Sequence, residues 1–103
     1  MSKIKNAVLN IPPSGSPDVL GYKLYIQEVP EAVTYESEVF DLGNVSSIDL
    51  ATLPGFTTRD GVYNIGVAAV DDAGNESSMS KLNDVPLDFV APDPPGVLVL
   101  NRL

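Results

Sequence analysis

Residues 62–71, VYNIGVAAVD, decide the fold. Tyr63, Ile65, Val67 and Ala69 alternate with Asn64, Gly66, Ala68 and Val70, the period of two that separates the faces of a β-strand. The second face is small and only partly polar. A solvated face would carry charge, so the segment reads as a central strand with a neighbour on each side.

Working outward, the preceding strand signals are KNAVLNI (5–11), GYKLYIQEV (21–29), VTYESEVFDL (33–42) and the short run at 47–51. Pro12-Pro13, Pro30, Gly43-Asn44 and Pro54-Gly55 separate them, with Asp60-Gly61 as the tight point before Val62. Proline lacks a ladder donor and glycine accepts turn conformations, which is why these residues punctuate strands. Glu36, Ser37 and Glu38 make the centre of the third segment polar, as suits a sheet edge where charge discourages pairing with a stranger. Beyond the central strand, Asp71 to Asn75 reads as a turn. Val85–Val90 follows as a strand that Pro86 confines to an edge or a bulge. The one helical candidate, 77–83, is too short to stand without tertiary support and has no apolar stripe.

Seven candidate strands in 103 residues predict an all-β two-sheet sandwich forming one domain. Its core is expected over 5–90, with a proline-rich spacer at 91–96 and a terminal strand at 97–103. With 44% hydrophobic residues the chain has enough apolar surface to fold.

The same composition narrows function. A net charge of −8 repels phosphate backbones and anionic lipid surfaces, so neither nucleic acid nor membrane is an expected partner. No stretch approaches the roughly 18 apolar residues that cross a bilayer. With neither cysteine nor histidine, thiolate and imidazole metal sites and the usual activated nucleophiles are excluded. Asp71, Asp72, Asn75 and Glu76 gather oxygen atoms without the spacing of a calcium loop, and read as turn formers. Glu36 and Glu38 share a strand face with no cleft implied. No enzyme, cofactor or metal is expected.

The candidate contact residues are Tyr25 and Tyr35, with Val97, Leu98, Val99 and Leu100 near the C-terminus. If Tyr22 faces inward, Tyr25 faces outward, and exposed tyrosines are large, fairly rigid and amphipathic. Nothing argues specifically for a carbohydrate ligand. The start, Met1 to Asn6, lacks the apolar core of a signal peptide, so synthesis in the cytoplasm without ordinary export is the expectation.

Taken in order, Leu9-Asn10-Ile11-Pro12-Pro13, Gly21-Tyr22-Lys23-Leu24-Tyr25, Leu53 with Tyr63 to Asp71, and Asp72 to Ser77 resemble the B strand, C strand, E-to-F passage and F-to-G turn of a bacterial or phage fibronectin type III domain. Ile11 stands where that family usually has a tryptophan. The family's A strand has no counterpart before residue 5, whereas Pro92 to Leu100 looks like such an opening displaced to the C-terminus. That tail is read in three ways: it completes its own sandwich in a permuted arrangement, it pairs with another subunit, or it belongs to a following repeat. The resemblance implies an immunoglobulin-like sandwich of about seven strands and a non-enzymatic structural or interaction module, in a virion or another extracellular assembly, with a protein partner or self-association through the C-terminal strand. The alternative is an accessory spacer or carbohydrate-contacting module of a secreted bacterial enzyme or adhesin.

Overall fold

The structure is a computed structural model that describes residues 7–56, 59–89 and 92–102. It is all-β. The strands are β1 (Val8–Asn10), β2 (Val19–Glu28), β3 (Glu38–Gly43), β4 (Ser47–Asp49), β5 (Asp60–Asp71) and β6 (Ser80–Asp88), with one 3-10 turn at Leu50–Thr52. They form two antiparallel sheets, β1-β4 and β3-β2-β5-β6.

The segment that decided the fold is central as expected, since β5 pairs with both β2 and β6. Its inward face, with Leu24 and Ile26 of β2 and Leu87 of β6, packs against Leu50 and Phe56, and Leu9 and Ile48 of the two-stranded sheet close on this core. Apolar residues from both sheets thus share one interior, the arrangement of a β-sandwich.

Phe56 is fully buried and carries much of the lower core, meeting Phe40 edge-on at 5.1 Å and Phe89 at 6.5 Å between ring centroids. Arg59 caps it. Its guanidinium lies 4.6 Å above the Phe56 ring centre and 5.5 Å from that of Tyr63, while an Nη atom meets Glu38 Oε1 at 2.6 Å. A guanidinium over an aromatic face is attracted by the ring quadrupole while its edge still serves a carboxylate.

The edges fall where polarity and proline placed them, at β3 and β6. Two buried groups shape them. Gly21 lies so close to β3 that a Cβ there would come within 2.8 Å of the Gly43 carbonyl carbon, so only glycine fits this approach. Buried Asn64 donates to the Glu31 carbonyl at 2.8 Å and accepts from the Asp84 N–H at 3.0 Å. Opposite it, Asn83 and Asp84 together face one residue of β5, and Asp84 takes φ 56°, which an aspartate tolerates.

Several expectations are corrected. The third strand begins at Glu38, because Ser37 turns the chain by donating its N–H to the Thr34 carbonyl at 3.0 Å. Asp60-Gly61 opens β5 and is not a turn. The sixth strand begins at Ser80, not Val85, and takes up residues 80–83 of the helical candidate, since pairing with β5 outweighs their weak local preference.

The expected terminal strand does not form within the chain. Residues 97–102 belong to no strand and lie exposed, and Leu103 is outside the described residues, as are Lys5 and Val90 of the expected core. The permuted arrangement is therefore not adopted, because the tail brings its apolar side chains to no surface of its own sandwich. The radius of gyration is 18.2 Å, against about 13 Å for a compact domain of this length.

Candidate interaction surface

The expected contact residues separate into two places. Tyr25 and Tyr35 lie together on the outer face of the four-stranded sheet, with ring centroids 5.7 Å apart in an edge-to-face pair. Tyr25 points away from the core as its alternation with Leu24 and Ile26 requires, but its expected exposure is corrected: it is only 3% exposed. Val33 and Ala68 are buried with it, and Met79 packs against them. The 33–37 segment supplies that cover, and its Tyr35 hydroxyl donates to the Ser77 carbonyl at 2.6 Å. Tyr35 itself remains 53% exposed and is the one of the two that a partner can reach.

The Tyr25 hydroxyl donates to Glu76 Oε1, and Lys23 Nζ stands 3.8 Å from the other Glu76 oxygen. Burial first, then the bond to Glu76 and its negative charge, push the Tyr25 phenol up to about 12 from 10.0. A raised folded pKa means that this stabilisation is complete below the unfolded value and disappears as pH rises through the folded one. The protein is therefore expected to lose stability between pH 10 and about 12, together with one late-titrating tyrosine. Ultraviolet titration beside thermal melts, with Tyr25→Phe as the control that removes the step, checks this.

Next to Glu76, Asp71 Oδ1 accepts from the N–H groups of Ala73 at 3.0 Å and Asn75 at 2.8 Å, and Oδ2 accepts from Asn75 Nδ2 at 3.0 Å. The Asn75 side chain, then its backbone, hold the Asp71 carboxyl below its ordinary range. The carboxylate is thus occupied in forming the turn, in agreement with its sequence reading. Among the described residues no group of three or more acidic side chains is placed to hold a metal.

The second place is the tail. Val97, Leu98, Val99 and Leu100 are 95, 89, 78 and 83% exposed, four consecutive large apolar residues in water. Scattered surface leucines are ordinary, but a contiguous apolar run marks a contact surface or an aggregation hazard.

A feature that the sequence did not indicate lies on the open side of the sandwich. A groove of about 500 Å³ runs between β1 and the β5-β6 side of the larger sheet, lined by Leu9, Ile11, Tyr22, Ile65, Val67 and Leu82 among others. Beside it the outer edge of β1 has no partner strand among the described residues. Leu50 donates to the Ala7 carbonyl and Ile11 donates to the Ser46 carbonyl, both at 2.8 Å, so residues 7, 9 and 11 face β4. Val8 and Asn10 therefore turn their N–H and C=O groups toward the open side.

No family model matches this chain, and neither does any curated protein or solved structure. Among the described residues no helix is long and apolar enough to cross a membrane.

Proposed function

We propose that the chain is a non-enzymatic structural module, related to the fibronectin type III sandwich, that joins protein subunits through its C-terminal segment within a virion or another extracellular assembly. The observation that carries this reading is the run Val97–Leu100, whose four apolar side chains are 78–95% exposed. A contiguous exposed apolar run of this kind favours association that covers it.

The topology supports the family reading. With β1 as strand B, β4 as E, β2 as C, β5 as F and β6 as G, B pairs with E in one sheet while C, F and G share the other, as in immunoglobulin-like sandwiches. Strand A would lie beside B, and that edge of β1 has no partner strand among the described residues.

The test is solution mass by light scattering across protein concentration, for the full chain and for a variant with Val97, Leu98, Val99 and Leu100 all replaced by serine. Because these side chains are exposed, the substitutions leave the sandwich intact, which circular dichroism verifies. A full chain that forms oligomers beside a monomeric variant supports the reading; two monomers, or two identical oligomers, contradict it.

A further inference from the structure

We infer that the groove beside β1 is the receptor for the 97–102 segment of a second copy of this chain, which enters as an added strand antiparallel to β1 and links copies head to tail. This rests on the assembly reading above and adds where the segment binds, in which direction, and from which molecule.

The groove and the tail are complementary in what each lacks. The groove is a mainly apolar furrow, with serines and Lys81 on its β6 side, bordered by the backbone groups that Val8 and Asn10 turn away from β4. The tail offers unpaired backbone and a run of alternating faces, so that every second apolar side chain enters the furrow while its N–H and C=O groups bond β1. The tail also departs from the acidic character of a chain of net charge −8: between Gly96 and Arg102 it carries Arg102 and no acidic residue. A neighbouring sandwich of net negative charge therefore does not repel it.

Direction argues for a second copy as the donor. The Ser14 N–H donates to the Tyr22 hydroxyl at 2.9 Å, and Tyr22 pairs with Ala69. The end of β1 that leads into Ser14 thus lies at the Ala69 end of β5. The tail departs from the opposite end, where Asp88 pairs with Asp60. To run antiparallel to β1, as β4 does, a segment must start at the Asn10 end, about 30 Å from that departure point at the ordinary rise per strand residue. From Phe89 to Val97 the chain spans at most about 28 Å fully stretched, with no allowance for reversing its direction. Its own tail can reach β1 only from the Val8 end and in parallel, the weaker pairing. A tail arriving from a copy stacked above the Ser14 end starts in the right place and already runs the right way. Such a joint uses different surfaces on its two sides, so it repeats into a chain of copies, or closes as a ring.

The absence of cysteine makes the test direct. Full-length proteins carrying Val8→Cys or Asn10→Cys are each mixed under mild oxidation with proteins carrying one cysteine at Val97, Leu98, Val99 or Leu100. Strand partners lie within disulfide reach, so mixed dimers are expected about tenfold or more above those formed with a Glu36→Cys control on the loop before β3, outside the groove lining. Moving the β1 cysteine from Val8 to Asn10 is expected to shift the best tail partner two positions toward the N-terminus. A shift toward the C-terminus shows parallel pairing and overturns the head-to-tail geometry. Oligomers that depend on the tail yet give no disulfide to β1 above the control overturn the groove as receptor while the assembly reading stands. A chain that is monomeric at all concentrations overturns both.

Discussion

Phe56→Ala is expected to destabilise the protein by about 3–5 kcal/mol, the usual cost of deleting a fully buried phenylalanine. The ring is inaccessible to water and touches the core from three directions: Phe40 on the edge strand β3, Phe89 just beyond β6, and the Arg59 guanidinium above it. Removing it leaves a cavity that these neighbours cannot readily close, since Arg59 is held to Glu38. It also deprives Arg59 of its nearest aromatic face. Domains of this size have total stabilities of about 5–15 kcal/mol, so the variant is left marginal. Urea unfolding at neutral pH, fitted for midpoint and slope, reads the effect. A loss below about 1 kcal/mol would mean that Phe56 is not central to the core.

The serine substitutions in the tail are expected to act in the opposite way, abolishing assembly while leaving the stability of the single sandwich nearly unchanged. None of the four side chains packs in the core, so the variant loses no intramolecular burial. Between molecules the balance is close. Two apolar side chains entering the groove contribute about 1.5–3 kcal/mol each. The hydrogen bonds available to Val8 and Asn10 add about 0.5–1.5 kcal/mol apiece. Association itself costs about 4–15 kcal/mol. A single joint is accordingly weak, and the mass of the full chain is expected to rise with concentration rather than to sit at one value. It is also expected to rise with salt, which screens the repulsion between chains of net charge −8.

Sequence discloses those features of the sandwich that local alternation sets. The apolar face of residues 63–69 marks β5 as buried, its small second face marks it as central, and Glu38 and Pro86 mark the edges. What alternation cannot disclose is what lies over a face. Tyr25 points outward as its spacing requires, yet Val33 and Tyr35, ten or so residues away in the chain, fold across it. Likewise residues 80–83 become strand through pairing with β5, a long-range effect that their serine-rich surroundings obscured. The groove has no sequence signature at all. Its walls come mainly from β1, β5 and β6, which are far apart in the chain, and it lies beside an edge of β1 that has no partner strand among the described residues. The tail, by contrast, was legible as an apolar segment set apart by prolines, and only its partner was not.

The most direct measurement of whether a strand occupies that edge is amide hydrogen exchange at Val8 and Asn10, in the full chain at high concentration and in the serine variant. Their N–H groups point to the open side of β1, away from β4. Slow exchange at both positions in the full chain and fast exchange in the variant is the predicted result, since only an added strand gives these groups partners. Equal, fast exchange in the two proteins would contradict the account, because it would leave the edge of β1 open at the very concentration at which the tail is supposed to close it.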